Sequence, residues 1–250
     1  NISFDKIEIF SREKKKISSK IIDLKKIKIL PSSIKKKIYL DIKKITSKRR
    51  LFNQTNIMGI LNMTPDSFSD GGIYNKKNKA LKRVKSMIKS GADIIDVGGE
   101  STRPGSKIIS YKDEWKRIGE IVKNFKKKNP KVKLSIDTRK SKIMLESIRL
   151  KADIINDVSC FGFDKKSFTG IKDTNVWKVI HHMQGTPQTM QKNPKYKHAL
   201  LDIYDFFDTK ITNLKKTKYP NQIILDPGIG FGKNLKHNLM LLSKISDRKS

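Results

Sequence analysis

The chain has 250 residues, 36% hydrophobic and 32% charged, with a formal net charge of +32. That length holds one barrel-sized domain or two small ones, and no apolar run approaches the ~18 residues of a membrane helix. The charge does not mark a nucleic-acid or membrane-surface protein: only nine of the 56 basic residues are Arg, and the lysines are spread along the whole length. Such even spreading reads as compositional drift, so no specific nucleic-acid partner and no membrane are expected. One cysteine, Cys160, excludes an internal disulfide, reads as inert packing, and fits a reducing, cytoplasmic compartment.

Residues 1–50 form a Lys-rich N-terminal extension with runs such as Lys35-Lys36-Lys37. Its weak apolar pattern (Ile27, Ile29, Leu30, then Ile34, Ile38, Leu40) is divided by Pro31. That pattern allows a short strand and a helix, or a mobile arm, and no function is assigned to it. Residues 51–250 make up the second domain.

From Ile57 onward candidate strands alternate with helical patterns, which predicts an α/β fold with a parallel sheet. The strands fall at 57–62, 93–97, 132–136, 153–157, 176–182 and 222–226. Between the first two, Leu81, Val84, Met87 and Ile88 share a helical face, and Gly91 follows as a C-terminal cap. The next helix carries Trp115, Ile118, Ile121, Val122 and Phe125 as its apolar stripe, introduced by Ser110 as N-cap.

The polar residues carry more information. Asn62, Asp96, Asp137, Asn156, His182 and Asp226 each stand at or just beyond the carboxyl end of successive strands. In a parallel barrel those ends open on one face, so distant residues converge on one pocket. Helix capping would explain one or two of them, Asp137 being the clearest competitor, but not six in succession. A (β/α)8 TIM-type barrel has eight such units, and about six are counted here. The expectation is a C-terminally incomplete barrel whose last two units lie outside this sequence.

Two loops are the most specific signals. The first runs Gly59-Ile60-Leu61-Asn62-Met63-Thr64-Pro65-Asp66-Ser67-Phe68-Ser69-Asp70-Gly71-Gly72, and the second Gly98-Gly99-Glu100-Ser101-Thr102-Arg103-Pro104-Gly105-Ser106. Ser135-Ile136-Asp137-Thr138, Ile155-Asn156-Asp157, His182-Met183-Gln184-Gly185 and Asp226-Pro227-Gly228-Ile229-Gly230-Phe231-Gly232-Lys233-Asn234 follow in order. Together they resemble the dihydropteroate synthase family, enzymes that join a pterin to 4-aminobenzoate in folate synthesis.

That resemblance implies displacement of diphosphate from a pterin methyl diphosphate by the aryl amine of 4-aminobenzoate. A neutral aryl amine is already nucleophilic, which agrees with the absence of any Ser-His-Asp or Cys-His arrangement. By resemblance Asn62 ligates a Mg2+ ion on the diphosphate, and Thr102 and Arg103 serve the chemistry from the second loop. Asp137, Asn156 and Asp226 hold the pterin ring, with Thr64 and Phe68 as further substrate contacts.

Asp96 reads as a structural carboxylate at the base of the second loop, and His182 equally as a core or a site histidine. Gly228, Gly230, Gly232 and Lys233 superficially suggest a phosphate loop, but their spacing fits no such fingerprint. The family's later Arg-x-His motif is not present. The terminal Asp247-Arg248-Lys249-Ser250 resembles its Ser-Arg-Lys-Ser loop, yet too few residues precede it to form a strand, so Lys249 is left out. A homodimer is expected where the C-terminal part is complete. The competing readings are another pterin-binding barrel, of the methyltetrahydrofolate methyltransferase type, an inactive fragment, and a basic nucleic-acid-binding protein. The two intact loops argue against the first, and steeply salt-sensitive binding would mark the last.

Overall fold

A computed structural model describes residues 4–13, 16–46, 55–64, 73–103 and 106–244. The chain divides into two compact units: residues 1–54 with 239–250, and residues 55–238. In the first unit, β1 (Lys6–Glu13) and β2 (Lys16–Asp23) pair antiparallel, from Lys6 opposite Asp23 to Glu13 opposite Lys16. A 3-10 turn (Leu24–Ile29) and helix α1 (Ser32–Thr46) follow, with Pro31 just before α1. Among the described residues of this unit, Ile22, Ile27 and Leu241 are the buried apolar ones, and Lys244 pairs with Glu8 at 2.5 Å. The sequence allowed for one strand here, and the structure has two.

The second unit alternates strand and helix throughout. The strands are β3 (Met58–Asn62), β4 (Ile94–Gly98), β5 (Lys133–Asp137), β6 (Ile154–Asp157), β7 (Trp177–His181) and β8 (Ile223–Asp226). Its helices are α2 (Ile73–Lys89), α3 (Tyr111–Lys128), α4 (Ser141–Arg149), α5 (Lys165–Ile171) and α6 (Ala199–Leu214), and α7 (Leu235–Ser243) spans the boundary at residue 239. All six strands are parallel and lie in sequence order, so each helix from α2 to α6 is a crossover between neighbours, and α7 follows the last strand. Every residue of β4 is buried, as expected of a parallel strand covered on both faces.

The helices form where their apolar stripes meet this sheet. Ile118, Val122 and Phe125 of α3 pack with Ile95, Val97, Leu134 and Ile136 of the strands, all buried. Burying one such side chain contributes about 1.5–3 kcal/mol. Ser110 caps α3 as expected, its hydroxyl accepting the Asp113 amide at 3.1 Å. After α2, Gly91 takes φ +96°, and the Ala92 amide turns back to the Met87 carbonyl at 3.0 Å.

The strand starts are displaced by about a residue from the sequence expectation, for an identifiable reason. Asp93 and Asp153 stand just before β4 and β6 and serve their neighbours. Asp93 Oδ2 accepts the Ile57 amide at 2.9 Å, and Asp153 Oδ2 accepts the Leu134 amide at 2.7 Å. Among the described residues no helix is long and apolar enough to cross a membrane.

Candidate active site

The strand register builds the site. Asn62 pairs with Gly98, Gly98 with Asp137, and Asp137 with Asn156, so four consecutive strands present these residues at one level. Gly98 is the spacer in this row. A Cβ there would stand 3.2 Å from Asp137 Oδ2 and 3.5 Å from Asn62 Oδ1, so any larger residue would press on the Asp137 carboxylate. Asp137 ends β5 and is not a helix cap. The first amide of α4, that of Ser141, is instead accepted by Asp164 Oδ2 at 2.9 Å.

Behind the row, Asp96 accepts the Asn156 amide nitrogen at 3.0 Å. This bond orients the Asn156 amide and leaves Oδ1 as a buried acceptor without a hydrogen-bond partner among the described residues. Burial raises the Asp96 carboxyl above its ordinary value, outweighing the hydrogen bond from Asn156. Asp96 therefore steadies Asn156, and the base of the second loop is held by another carboxylate, Glu100. Asp137 is only half-buried, and its carboxyl too is pushed well up, by desolvation first and then by the charges of Asp96, Asp157, Glu114 and Glu100.

Asp226 closes the arc from β8. Its Oδ1 accepts the Gly228 amide at 2.8 Å, and Oδ2 lies 3.9 Å from His181 Nε2. His181, which the sequence reading did not single out, is the residue at the end of β7. Its ring is buried, with Nδ1 3.1 Å from the Val158 carbonyl and its plane edge-on to Phe231 at 4.8 Å. His182 lies one residue further and is a core histidine. Burial, then the Lys233 charge, lowers it to about 4, so it is neutral near pH 7.

The glycine-rich run after β8 works opposite to a phosphate loop. Lys233 is buried and points inward, its Nζ reaching the carbonyls of Gly228 (2.8 Å), Phe231 (2.9 Å) and His182 (3.2 Å) and His182 Nδ1 (3.1 Å). Desolvation lowers this lysine to about 8, against the pull of Asp226. Gly228 has φ +67°, and a Cβ there would stand 2.0 Å from the His182 carbonyl oxygen. Gly228→Ala should therefore cost at least about 3 kcal/mol. Thermal unfolding followed by circular dichroism should fall by roughly 6–12 °C, and an unchanged midpoint would contradict the close approach.

Thr102 and Arg103 lie on the loop after β4, Thr102 half-buried and Arg103 exposed. The loop is tied by the Ser106 hydroxyl donating to the Ser101 carbonyl at 2.6 Å and by Arg117 donating to the Gly99 carbonyl at 2.8 Å. Beneath it sits a cluster with no motif to announce it: Glu100, Glu114, Arg139 and Lys140, all buried. Thr64 is half-buried just beyond β3, and Asn62 is exposed at its end. Phe68 lies outside the described residues, as does Lys249. Among the described residues no three His, Cys, Asp or Glu side chains gather into a metal site.

A family model described as pterin binding enzyme matches residues 58–250. The dihydropteroate synthase of Escherichia coli (strain K12) is 40% identical over 193 residues, covering 77% of this chain and 68% of its own. That of Clostridium beijerinckii is 42% identical over 204 residues, 81% of this chain and 73% of its own. Among solved structures, Yersinia pestis dihydropteroate synthase with a sulfonamide drug complex matches with a TM-score of 0.71 at 38% identity, over 80% of this chain and 74% of that one. The Burkholderia cenocepacia enzyme complexed with 7,8-dihydropteroate gives 0.68 at 36% identity, over 79% and 67%. With its row of strand-end polar groups and this degree of identity, the chain belongs to the dihydropteroate synthase family, transferases of folate biosynthesis built on the TIM-barrel fold.

Proposed function

We propose that Asp137, Asn156 and Asp226 grip the ring of a dihydropterin methyl diphosphate, while Asn62, Thr102 and Arg103 serve its diphosphate and the incoming 4-aminobenzoate. The observation that carries this reading is the row Asn62–Gly98–Asp137–Asn156, with a buried Asn156 Oδ1 that has no hydrogen-bond partner among the described residues, beside a carboxylate. An aminopyrimidinone edge offers N–H donors to this oxygen and to the carboxylates beside it. The product complex of the Burkholderia relative supports a pterin at a site of this kind.

In the reaction the amine nitrogen bonds to the pterin methylene carbon as the carbon–oxygen bond to diphosphate breaks. The electron pair leaves with diphosphate, and the amine gives up its proton. The chain's task is to orient the two reactants and to meet charge on the leaving group. Arg103, exposed on its loop, offers a planar fork suited to phosphate or carboxylate. Thr64 and Phe68 belong to the first loop and are assigned to substrate contact.

Asn62 suits Mg2+ as a single amide ligand, because Mg2+ keeps water and substrate oxygens around it. When bound, Mg2+ would neutralise diphosphate charge. A cytoplasmic location and a homodimer accompany this reading. The buried Cys160, whose thiol burial raises to about 11, is consistent with a reducing compartment.

Asn62→Ala tests the assignment. Diphosphate binding measured by calorimetry should lose most of its dependence on Mg2+, while pterin binding without diphosphate stays within about threefold of the parent. An equal Mg2+ response in both proteins would remove Asn62 from the metal.

A further inference from the structure

We propose that Glu100, gripped by Arg139 and Lys140, is a positioning residue that sets the place of Arg103 against the pterin-binding strands. The proposal rests on the reading of Arg103 given above. Each carboxylate oxygen of Glu100 has two donors. Oε2 takes Arg139 Nε at 3.0 Å and Arg139 Nη2 at 2.7 Å; Oε1 takes Lys140 Nζ at 2.9 Å and the Ile109 amide at 3.1 Å.

These donors come from two different places. Ile109 is where the loop returns toward α3, so Glu100 ties the loop's entry to its exit. Arg139 and Lys140 follow Asp137 by two and three residues, so the segment that delivers the ring-binding carboxylate also anchors the loop bearing Arg103. The anchors are fixed in turn. The Arg139 guanidinium lies 4.2 Å over the Phe163 ring in the loop after β6, and Lys140 reaches Glu114 of α3 at 2.6 Å.

Apolar side chains could fill this space and hold the loop at comparable stability, since buried ion pairs seldom add much net stabilisation. They would not fix an angle. Four directional, charge-assisted bonds do, and a displacement of about 1 Å near a reacting centre can cost on the order of 100-fold in rate.

A double-mutant cycle in the full-length protein tests the proposal, with kcat/KM for 4-aminobenzoate and pterin affinity by calorimetry as readouts. Glu100→Gln should lower kcat/KM by about 30-fold and leave pterin affinity within about threefold. Added to Arg103→Ala, it should cost less than about threefold more, because the residue it positions is already gone. If Glu100→Gln does not fold, Arg139→Lys replaces it in the same cycle, keeping the charge but losing the two-pronged grip. A full loss persisting on the Arg103→Ala background, no loss at all, or pterin affinity falling in step would overturn the role. Arg103→Ala without effect on turnover would refute the reading of Arg103 itself, and this proposal with it.

Discussion

Asp137→Asn is expected to weaken pterin binding by roughly 5- to 150-fold while the protein stays folded. The side chain ends β5 in the row between Gly98 and Asn156, and replacing one oxygen by NH2 sets donor against donor at the ring edge. The wild-type carboxyl adds a pH signature. In the empty site desolvation and the nearby charges of Asp96, Asp157, Glu114 and Glu100 keep its proton on to higher pH than in a free aspartate. Ring N–H donors require the carboxylate, so binding expels that proton. Affinity should rise with pH until the raised value is passed, then level off. The folding linkage has the same origin: stability falls as pH climbs from the ordinary carboxyl value through the raised one. Calorimetry in two buffers of different ionisation heat measures the proton released. Flat affinity with no proton release would discard the carboxylate's role, and Asp137→Asn should abolish the pH dependence.

Lys140→Met should destabilise the fold by about 3–5 kcal/mol, because it strips the cation from two carboxylates at once. Glu114 is fully buried and its Oε1 already has no hydrogen-bond partner among the described residues, so without Lys140 its charge is uncompensated. Adding Glu114→Gln should recover a large part of the loss, since a neutral amide is far cheaper to bury. Denaturant unfolding of the two variants measures the difference, and equal midpoints would show that the pair is not coupled. Acid should reproduce part of the effect. Burial alone would raise the Glu100 carboxyl, but hydrogen bonds from Lys140 and Arg139 outweigh it and hold it below its ordinary value. The stability it contributes is complete above the ordinary carboxyl pKa and is lost as pH falls through the lower folded value.

The parallel sheet was legible because its strands are short apolar runs, each ended by a polar residue. That polarity marked the carboxyl ends of the strands: Asn62, Asp137, Asn156 and Asp226 all terminate strands or stand beside a terminal residue. What stayed hidden depends on pairings between distant positions. Nothing local to Glu100 says that it meets Arg139 and Lys140, and nothing local to Asp96 says that its partner is Asn156. That β7 ends at His181, one residue before the His182 considered from the sequence, is not something a two-histidine run shows. The N-terminal hairpin was missed because Lys14-Lys15, between its strands, carries none of the Gly, Asn or Asp that mark a tight turn.

The row of site residues has a partner row one step earlier in each strand: Leu61, Val97, Ile136 and Ile155, paired in the same order and all buried. Side chains alternate faces along a strand, so a slip of one residue in any of these strands would trade a core aliphatic residue for a residue of the site row. Pocket and core thus share one parity. A partly ordered chain with any of these strands misaligned would have neither. Pterin affinity is then a measure of correct strand alignment, and during refolding it should appear only with the final cooperative step.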